Sequence, residues 1–311
     1  MNFSLNKHWE IKPDIERALT HQQPVVALET AVLTHGLPYP INLQLVREME
    51  TIVRHEHALP ATIGVLNGNM VIGLNDDQLS TLADPQTAVG KISQRDIGLA
   101  LATGLNGGTT VGASIVAATK AGLRVFATGG IGGVHRDPPF DVSADLIALH
   151  HVPMIVVCSG AKSILNLPAT MEVLESYGIP VLGYQTDEFP AFYAASSGLK
   201  VTSRVESVKV IAEIAREQWL SGLRNAILVV QPPPADSAMP AEEMEDIITQ
   251  AVTMATQLNI QGSNLTPFLL SKVNELSKGA SMKANLALLK NNARLAAKIA
   301  CAVHPSVLSV A

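Results

Sequence analysis

Several short stretches of this chain place reactive side chains directly after apolar runs, where an open α/β sheet binds its ligands. Glu29 follows Val25-Val26-Ala27-Leu28 and precedes Thr30, so an acid stands inside what reads as a buried strand. Burial disfavours the charged carboxylate, which suits a general acid; the plainer reading is an edge-strand glutamate pointing to water. Lys162 comes a few residues after the apolar run 154–158, in CSGAKSIL. A lysine in an apolar pocket is costly unless paired, and its characteristic use there is as an amine nucleophile that forms a Schiff base. The plainer reading is a lysine snorkelling at a helix start. Lys91, in GKISQRD, is the candidate second cation, and its alternative use is holding a phosphate.

Two glycine-rich stretches complete the set. In NGGTTVGAS (106–114), glycines lead into Thr109, Thr110 and a helical pattern that ends near Gly122. Amides and hydroxyls at a helix N-terminus form an anion site. The G-K-[ST] ending of a phosphate loop and the G-x-G-x-x-G fingerprint are both missing, so an ordinary Gly-rich turn stays open. ATGGIGGVHRDPPFDVSADL (127–146) has four glycines in five residues after a strand, then His135, Asp141, Ser143 and Asp145. Glycines so placed let backbone approach a ligand, although Ser143 and Asp145 could simply cap a helix. Asp141 is an oxygen donor of the kind a hard divalent cation accepts, and a site with one carboxylate leaves that cation mostly water-ligated. His55 with His57, and His150 with His151, have spacings that do not converge on a metal and read as surface or cap residues. An acid, a Schiff-base lysine, an anion site and a weak metal site together describe an enzyme acting on a phosphosugar.

Such residues need a scaffold. Short β-branched runs beginning near 24, 61, 124, 154, 180 and 226 alternate with longer helical patterns, which predicts parallel strands with helical crossovers. In the helix after Ser207, Val208, Ile211, Ala215 and Leu220 are expected on one buried face, with Gly222 past the last turn. QPPPADSAMP (231–240) reads as a loop inside one domain, and the chain beyond Pro240 as three successive helices that cover one face or edge of the sheet. The expectation is an α/β protein, a single α/β/α domain over 1–311 with a mostly parallel central sheet and extra C-terminal helices.

With 47% hydrophobic residues in 311, the chain can bury a sizeable core and is no disordered polymer. Lys and Arg number 22 against 27 Asp and Glu, a net charge of -5 without a basic run, which argues against a nucleic-acid partner. The apolar runs fall far short of the roughly 18 residues that a membrane helix needs. The N-terminus lacks the apolar core of a secretory signal, so a cytoplasmic protein is expected. Cys158 and Cys301 lie far apart in apolar segments and are expected as buried free thiols rather than a disulfide.

VALET with THGLPYP, KISQRD, NGGTTV, FATGGIGGVHR, FDVSADL, VVCSGAKSIL, GYQTDEFPAFY, TPFLL and KANLALLKNNA, in that order over almost the whole chain, resemble the pseudouridine-5'-phosphate glycosidase family. That resemblance implies an α/β/α fold, a homotrimer, one divalent cation per subunit, commonly manganese, and an enzyme of the carbon–oxygen hydro-lyase class in pseudouridine catabolism. The implied reaction is reversible cleavage of the C–C bond of pseudouridine 5'-phosphate to uracil and ribose 5-phosphate, through ring opening and a lysine Schiff base. An ordinary glycosidase expels a heteroatom between two carboxylates, whereas here the leaving carbon must be protonated. By the same resemblance Glu29 is the proton donor and Lys162 the nucleophile. Lys91, Val111, Thr128, His135, Ser143, Ala144, Asp145 and Asn285 contact substrate, with Asn285 reading the uracil edge through an amide that both donates and accepts. Asp141 matches the metal ligand.

The sequence also departs from the family pattern. The loop between His135 and Asp141 is short, Gln94 stands where an arginine is common, Asn166 replaces an aspartate after KSIL, and Ser263 and Asn264 interrupt the usual approach to TPFLL. None of these is the proposed acid, nucleophile or metal ligand, so an active enzyme is expected, without the fused sugar kinase that some relatives carry. The rival readings are another Schiff-base phosphosugar lyase or aldolase, a catalytically silent phosphosugar-binding protein, and a hydrolase of N-glycosidic nucleotides.

Overall fold

A computed structural model describes residues 7–136, 141–260 and 265–303. The expected loop contacts at 137–140 and the departures at Ser263 and Asn264 lie outside those residues. The strands are β1 (Trp9–Ile11), β2 (Val25–Leu28), β3 (Leu59–Leu66), β4 (Asn69–Ile72), β5 (Gly90–Ile92), β6 (Gly107–Thr109), β7 (Val125–Ala127), β8 (Ile155–Cys158), β9 (Val181–Tyr184), β10 (Ser203–Val205) and β11 (Ile227–Val230). The helices are α1 (Pro13–Thr20), α2 (Ile41–His55), α3 (Asp76–Ala83), α4 (Ile97–Thr103), α5 (Val111–Lys120), α6 (Ala144–His151), α7 (Leu167–Ser176), α8 (Val208–Leu220), α9 (Ala241–Gln257), α10 (Leu265–Leu276) and α11 (Ala280–Ala302).

The strand order is β1-β4-β3-β2-β7-β8-β11-β9-β10, with β6 joining β3 to β5 at one side. Pairing is parallel except where β3 meets β4 and β6. The mostly parallel sheet expected from the alternation of elements is therefore present. β2, β8 and β11 are runs of Val, Ile, Leu, Ala and Cys buried at every position. A strand whose odd and even residues are both buried is covered on both faces, as parallel strands under helical crossovers must be. Much of one cover is α11, which packs on β2, β7 and β8 and also touches α2 and α8. Its buried stripe is rich in alanine, Ala284, Ala293, Ala296, Ala297 and Ala300, which lets helix and sheet approach closely. α5 rests on β2 and β3 and pairs with α6.

Among the described residues the helices after Pro240 are α9, α10 and α11, and 231–240 forms the loop that leads into them. Three details differ from expectation. Glu29 is one residue past β2 rather than inside it, because the strand ends at Leu28. In α8 the buried stripe runs Ile211, Ala215, Trp219, whereas Leu220 is 52% exposed. Four-residue steps stay on one helix face, and Leu220 lies a further 100° around. Cys158 is buried but Cys301 is exposed, since it follows the buried Ala300 onto the outer side of α11.

Candidate active site

The carboxyl ends of β2, β7 and β8 lie side by side, and the turns that leave them carry the acid and the lysine. After β2, the Thr30 hydroxyl donates to the Ile63 carbonyl (2.6 Å) and accepts from the Thr109 amide (3.0 Å), pinning this turn to β3 and β6. Glu29 is thereby held buried beside β7, where the Thr128 hydroxyl donates to its Oε1 at 2.5 Å. Burial pushes the Glu29 carboxyl above the usual carboxylate range, against the opposing pull of the Lys162 charge and the Thr128 hydrogen bond. A carboxyl whose proton is held more tightly in this way suits a proton donor.

Lys162 is placed by two loops that run together. The Ser159 amide donates to Gly129 O (2.8 Å), the Ile131 amide to Gly160 O (3.1 Å) and the Lys162 amide to Ile131 O (3.1 Å). Gly160 is required there: its φ is +85°, and a Cβ would collide with the Pro190 carbonyl. Lys91 comes from β5 and is half-buried, and burial followed by the charge of Lys162 lowers its pKa. Asn285 faces the same space from α11 and is buried.

Glu29, Lys91, Thr128, Lys162 and Asn285 line one pocket with about 580 Å³ of empty space, mouth included. A larger groove of about 1720 Å³ runs past Arg136, Leu199 and Met244. Its charged residues are Arg136, Glu242 and Glu245, of which Arg136 and Glu245 pair with each other. The acid and both candidate lysines are elsewhere, so the chemistry belongs to the smaller pocket.

The other expected site residues, Val111, His135, Asp141, Ser143, Ala144 and Asp145, are not among the residues lining that pocket, and His135 lines a separate cavity with Arg136, Ile164 and Val252. Asp145 is buried, and its carboxylate accepts the Gly112 amide on Oδ1 (2.7 Å) and the Gly132 amide on Oδ2 (2.8 Å). The anion at the start of α5 is thus the protein's own, and it clamps that helix, which begins at Val111, to the glycine loop. Ser143 caps α6 by accepting the Asp145 amide at 3.2 Å, and Ala144 is the first residue of that helix. The glycine loop has no space to spare here, because a Cβ on Gly132 would strike Ser143 Oγ. Of the two threonines before α5, Thr109 donates to Ile63 O (2.7 Å) and Thr110 caps the helix. The His135 amide donates to Asp141 O at 2.8 Å. Burial lowers the His135 pKa, Asp141 opposes this, and the charges of Lys162 and Lys91 add to it. Gln94 is exposed in a short turn, and Asn166 accepts the Ala169 amide (3.0 Å) as the cap of α7, a role asparagine and aspartate share.

Among the described residues, no group of three or more His, Cys, Asp and Glu gathers in a way that could hold a metal. The half-buried carboxylate of Asp141 fits only a hard cation that keeps most of its water.

Sequence reasoning assigned no role to His35 or Phe192, which also line the pocket. His35 Nδ1 lies 2.5 Å from Thr34 Oγ1, and burial, then the Lys91 charge, lowers its pKa. Its signal was available in THGLPYP, where it precedes a glycine. Phe192 lies in GYQTDEFPAFY, but an aromatic beside Phe189 and Tyr193 reads as core.

The family described as indigoidine synthase A like protein matches residues 14–302. A pseudouridine-5'-phosphate glycosidase of Caldanaerobacter subterraneus subsp. tengcongensis is 46% identical over 298 residues, which cover 95% of this chain and 97% of that protein. Two crystal structures share the fold. An indigoidine synthase A-like protein of Thermotoga maritima is 35% identical with a TM-score of 0.88, covering 96% of this chain and 97% of its own. The prealnumycin C-glycosynthase AlnA in complex with ribulose 5-phosphate is 36% identical, also at 0.88, covering 96% and 98%. The chain belongs to the indigoidine synthase A-like family, alongside relatives named pseudouridine-5'-phosphate glycosidases.

Proposed function

We propose that this protein is a pseudouridine-5'-phosphate glycosidase, cleaving the C–C bond between uracil and ribose 5-phosphate reversibly. The observation that carries this reading is the meeting of a buried, Thr128-bonded Glu29 with Lys162, Lys91 and Asn285 in one pocket. The names of relatives at 44–46% identity over nearly the full chain support it.

The residues divide the work as follows. Lys162 Nζ bonds to C1′ while the C1′–O4′ bond breaks, and the proton lost by nitrogen balances the one gained by O4′. The nitrogen lone pair then forms the C1′=N bond as the bond from C1′ to uracil breaks. The released electron pair takes the proton of Glu29 at the uracil carbon, and Asn285 holds the uracil edge. Water hydrolyses the imine, freeing open-chain ribose 5-phosphate and Lys162, and the proton released restores Glu29. Thr128 keeps Glu29 aimed, and Lys91 and the glycine loop bind the phosphosugar.

Asp141 would hold the divalent cation, with manganese the expected one, and a cation there would add positive charge near His135. A homotrimer and a cytoplasmic setting belong to the same proposal, as does a single domain spanning the chain. Leu220 and Leu223, exposed at the end of α8, are apolar surface that a neighbouring subunit would cover. No helix among the described residues is long and apolar enough to cross a membrane.

The likeness to a C-glycosynthase favours a second reading, in which the same imine joins a phosphosugar to another nucleophilic carbon. Uracil release from pseudouridine 5'-phosphate, with and without manganese, tests the proposal when followed by borohydride trapping and peptide mapping. Metal-dependent release with the adduct on Lys162 is expected. Absence of release while ribose 5-phosphate still forms the adduct would overturn the glycosidase in favour of the second reading.

A further inference from the structure

Asn292 lies wholly buried on α11 and the reaction scheme gives it no task. Its Nδ2 donates to the carbonyls of Thr128 (2.9 Å) and Gly129 (3.4 Å) and to Ser159 Oγ (3.2 Å). Its Oδ1 accepts from Gln231 Nε2 at 3.0 Å. The two carbonyls can only accept, which fixes the amide's orientation. One side chain thus ties α11 to the residues that follow β7, β8 and β11.

Those residues are held without it. The Thr128 amide donates to Val157 O (3.0 Å), the Ser159 amide to Gly129 O (2.8 Å) and the Gln231 amide to Cys158 O (3.1 Å). α11 already lies on those strands through its buried apolar stripe, and the amide of Asn292 adds the directional bonds that fix its position there, because the helix's ion pairs, Lys290 with Glu48 and Arg294 with Glu56, run instead to α2 and the residue that ends it. Asn285 precedes Asn292 by seven residues, which returns a helix to within about 20° of the same face, roughly 10 Å along its axis. Thr128 therefore has two partners at once: its hydroxyl holds Glu29, and its carbonyl holds the helix that carries Asn285.

We propose that Asn292 is a positioning residue that aligns Asn285 with the acid Glu29, and so governs the step that parts uracil from the sugar rather than the capture of the sugar by Lys162. This rests on the glycosidase reading. Asn292→Ala is expected to lower kcat/KM for uracil release by about 10- to 100-fold, the effect of displacing a substrate contact by about 1 Å. It should also raise KM for uracil in the condensation direction, while borohydride traps ribose 5-phosphate on Lys162 at the wild-type rate.

A double-mutant cycle decides the matter. If Asn292 acts through Asn285, its replacement costs almost nothing further in an Asn285→Ala background. An equal loss in both backgrounds, or a matching loss of trapping, would overturn the proposal. Should Asn292→Ala fail to fold, Gln231→Ala removes a single partner of the same amide and should give a smaller loss that also vanishes in Asn285→Ala. A wild-type protein that releases no uracil would overturn the glycosidase reading and this one with it. Uracil release with equal losses overturns only the role of Asn292.

Discussion

The Thr128 hydroxyl donates to the Glu29 carboxylate at 2.5 Å across 99 residues of sequence, and it pulls the acid's pKa down while burial drives it up. Thr128→Val removes the opposing interaction, so the Glu29 pKa rises further. In the proposed reaction the protonated acid is the active form, so activity that depends on it is lost as pH rises through its folded pKa. The alkaline limb of the kcat profile should therefore move to higher pH, and a limb that stays or moves down would contradict the arrangement.

The same acid weighs on stability. Its folded pKa lies above the unfolded value, so the folded state binds the proton more tightly and stability falls as pH rises from about 4.5 through the folded pKa. Glu29→Gln lacks this penalty. The variant should melt above wild type at pH 7 by more than it does at pH 4, at about 2–4 °C per kcal/mol, with uracil release reduced about 10²- to 10⁴-fold. Paired thermal scans at the two pH values check it.

Asp145 accepts two backbone amides, one from the first turn of α5 and one from the glycine loop. Asn at this position offers one oxygen and turns an N–H₂ group toward a buried N–H, so one amide loses its partner. Asp145→Asn should cost about 1–3 kcal/mol or more in a denaturant titration and take activity with it. A variant as stable as wild type would show that the clamp is dispensable.

Metal binding should follow Asp141 alone among the acids of this region, because both oxygens of Asp145 already hold amides. Asp141→Asn should weaken manganese binding about tenfold or more, read by electron paramagnetic resonance of the free ion, while Asp145→Asn that remains folded binds as wild type.

The thiols should differ in reactivity. Burial pushes Cys158 up to about 12, and no reagent reaches it in the folded state, whereas Cys301 is exposed. Aromatic disulfide titration of the native protein should count one thiol, and a second only after denaturation.

Glu29 and Lys162 were readable from sequence because charged side chains bordering Val25–Leu28 and Ile155–Cys158 contradict their surroundings, and burying a charge demands a partner or a task. Asn285 came through the resemblance of KANLALLKNNA to a family, since an amide in the middle of a helix has no local signature. α5 starts where foreseen, and the partner of its Gly112 amide is Asp145, from 33 residues further on, which no local pattern shows. Leu220 and Cys301 were misplaced because apolar or thiol character does not say which side of a helix meets the sheet.

What the sequence determined by itself is everything that rests on local order: the alternation of strands and helices, the glycines without which 129–133 and Gly160 could not come so close to their neighbours, and the acid and lysine set at strand ends. Tertiary structure alone decided which of those residues meet. Pairing β2 with β7 and β7 with β8 brings Glu29, Thr128 and Lys162 to one edge, and laying α11 across those strands adds Asn285 and the amide of Asn292. The physical reason is range: turn and helix preferences act over a few residues, whereas a hydrogen bond spanning 164 residues exists only after the core has closed around it.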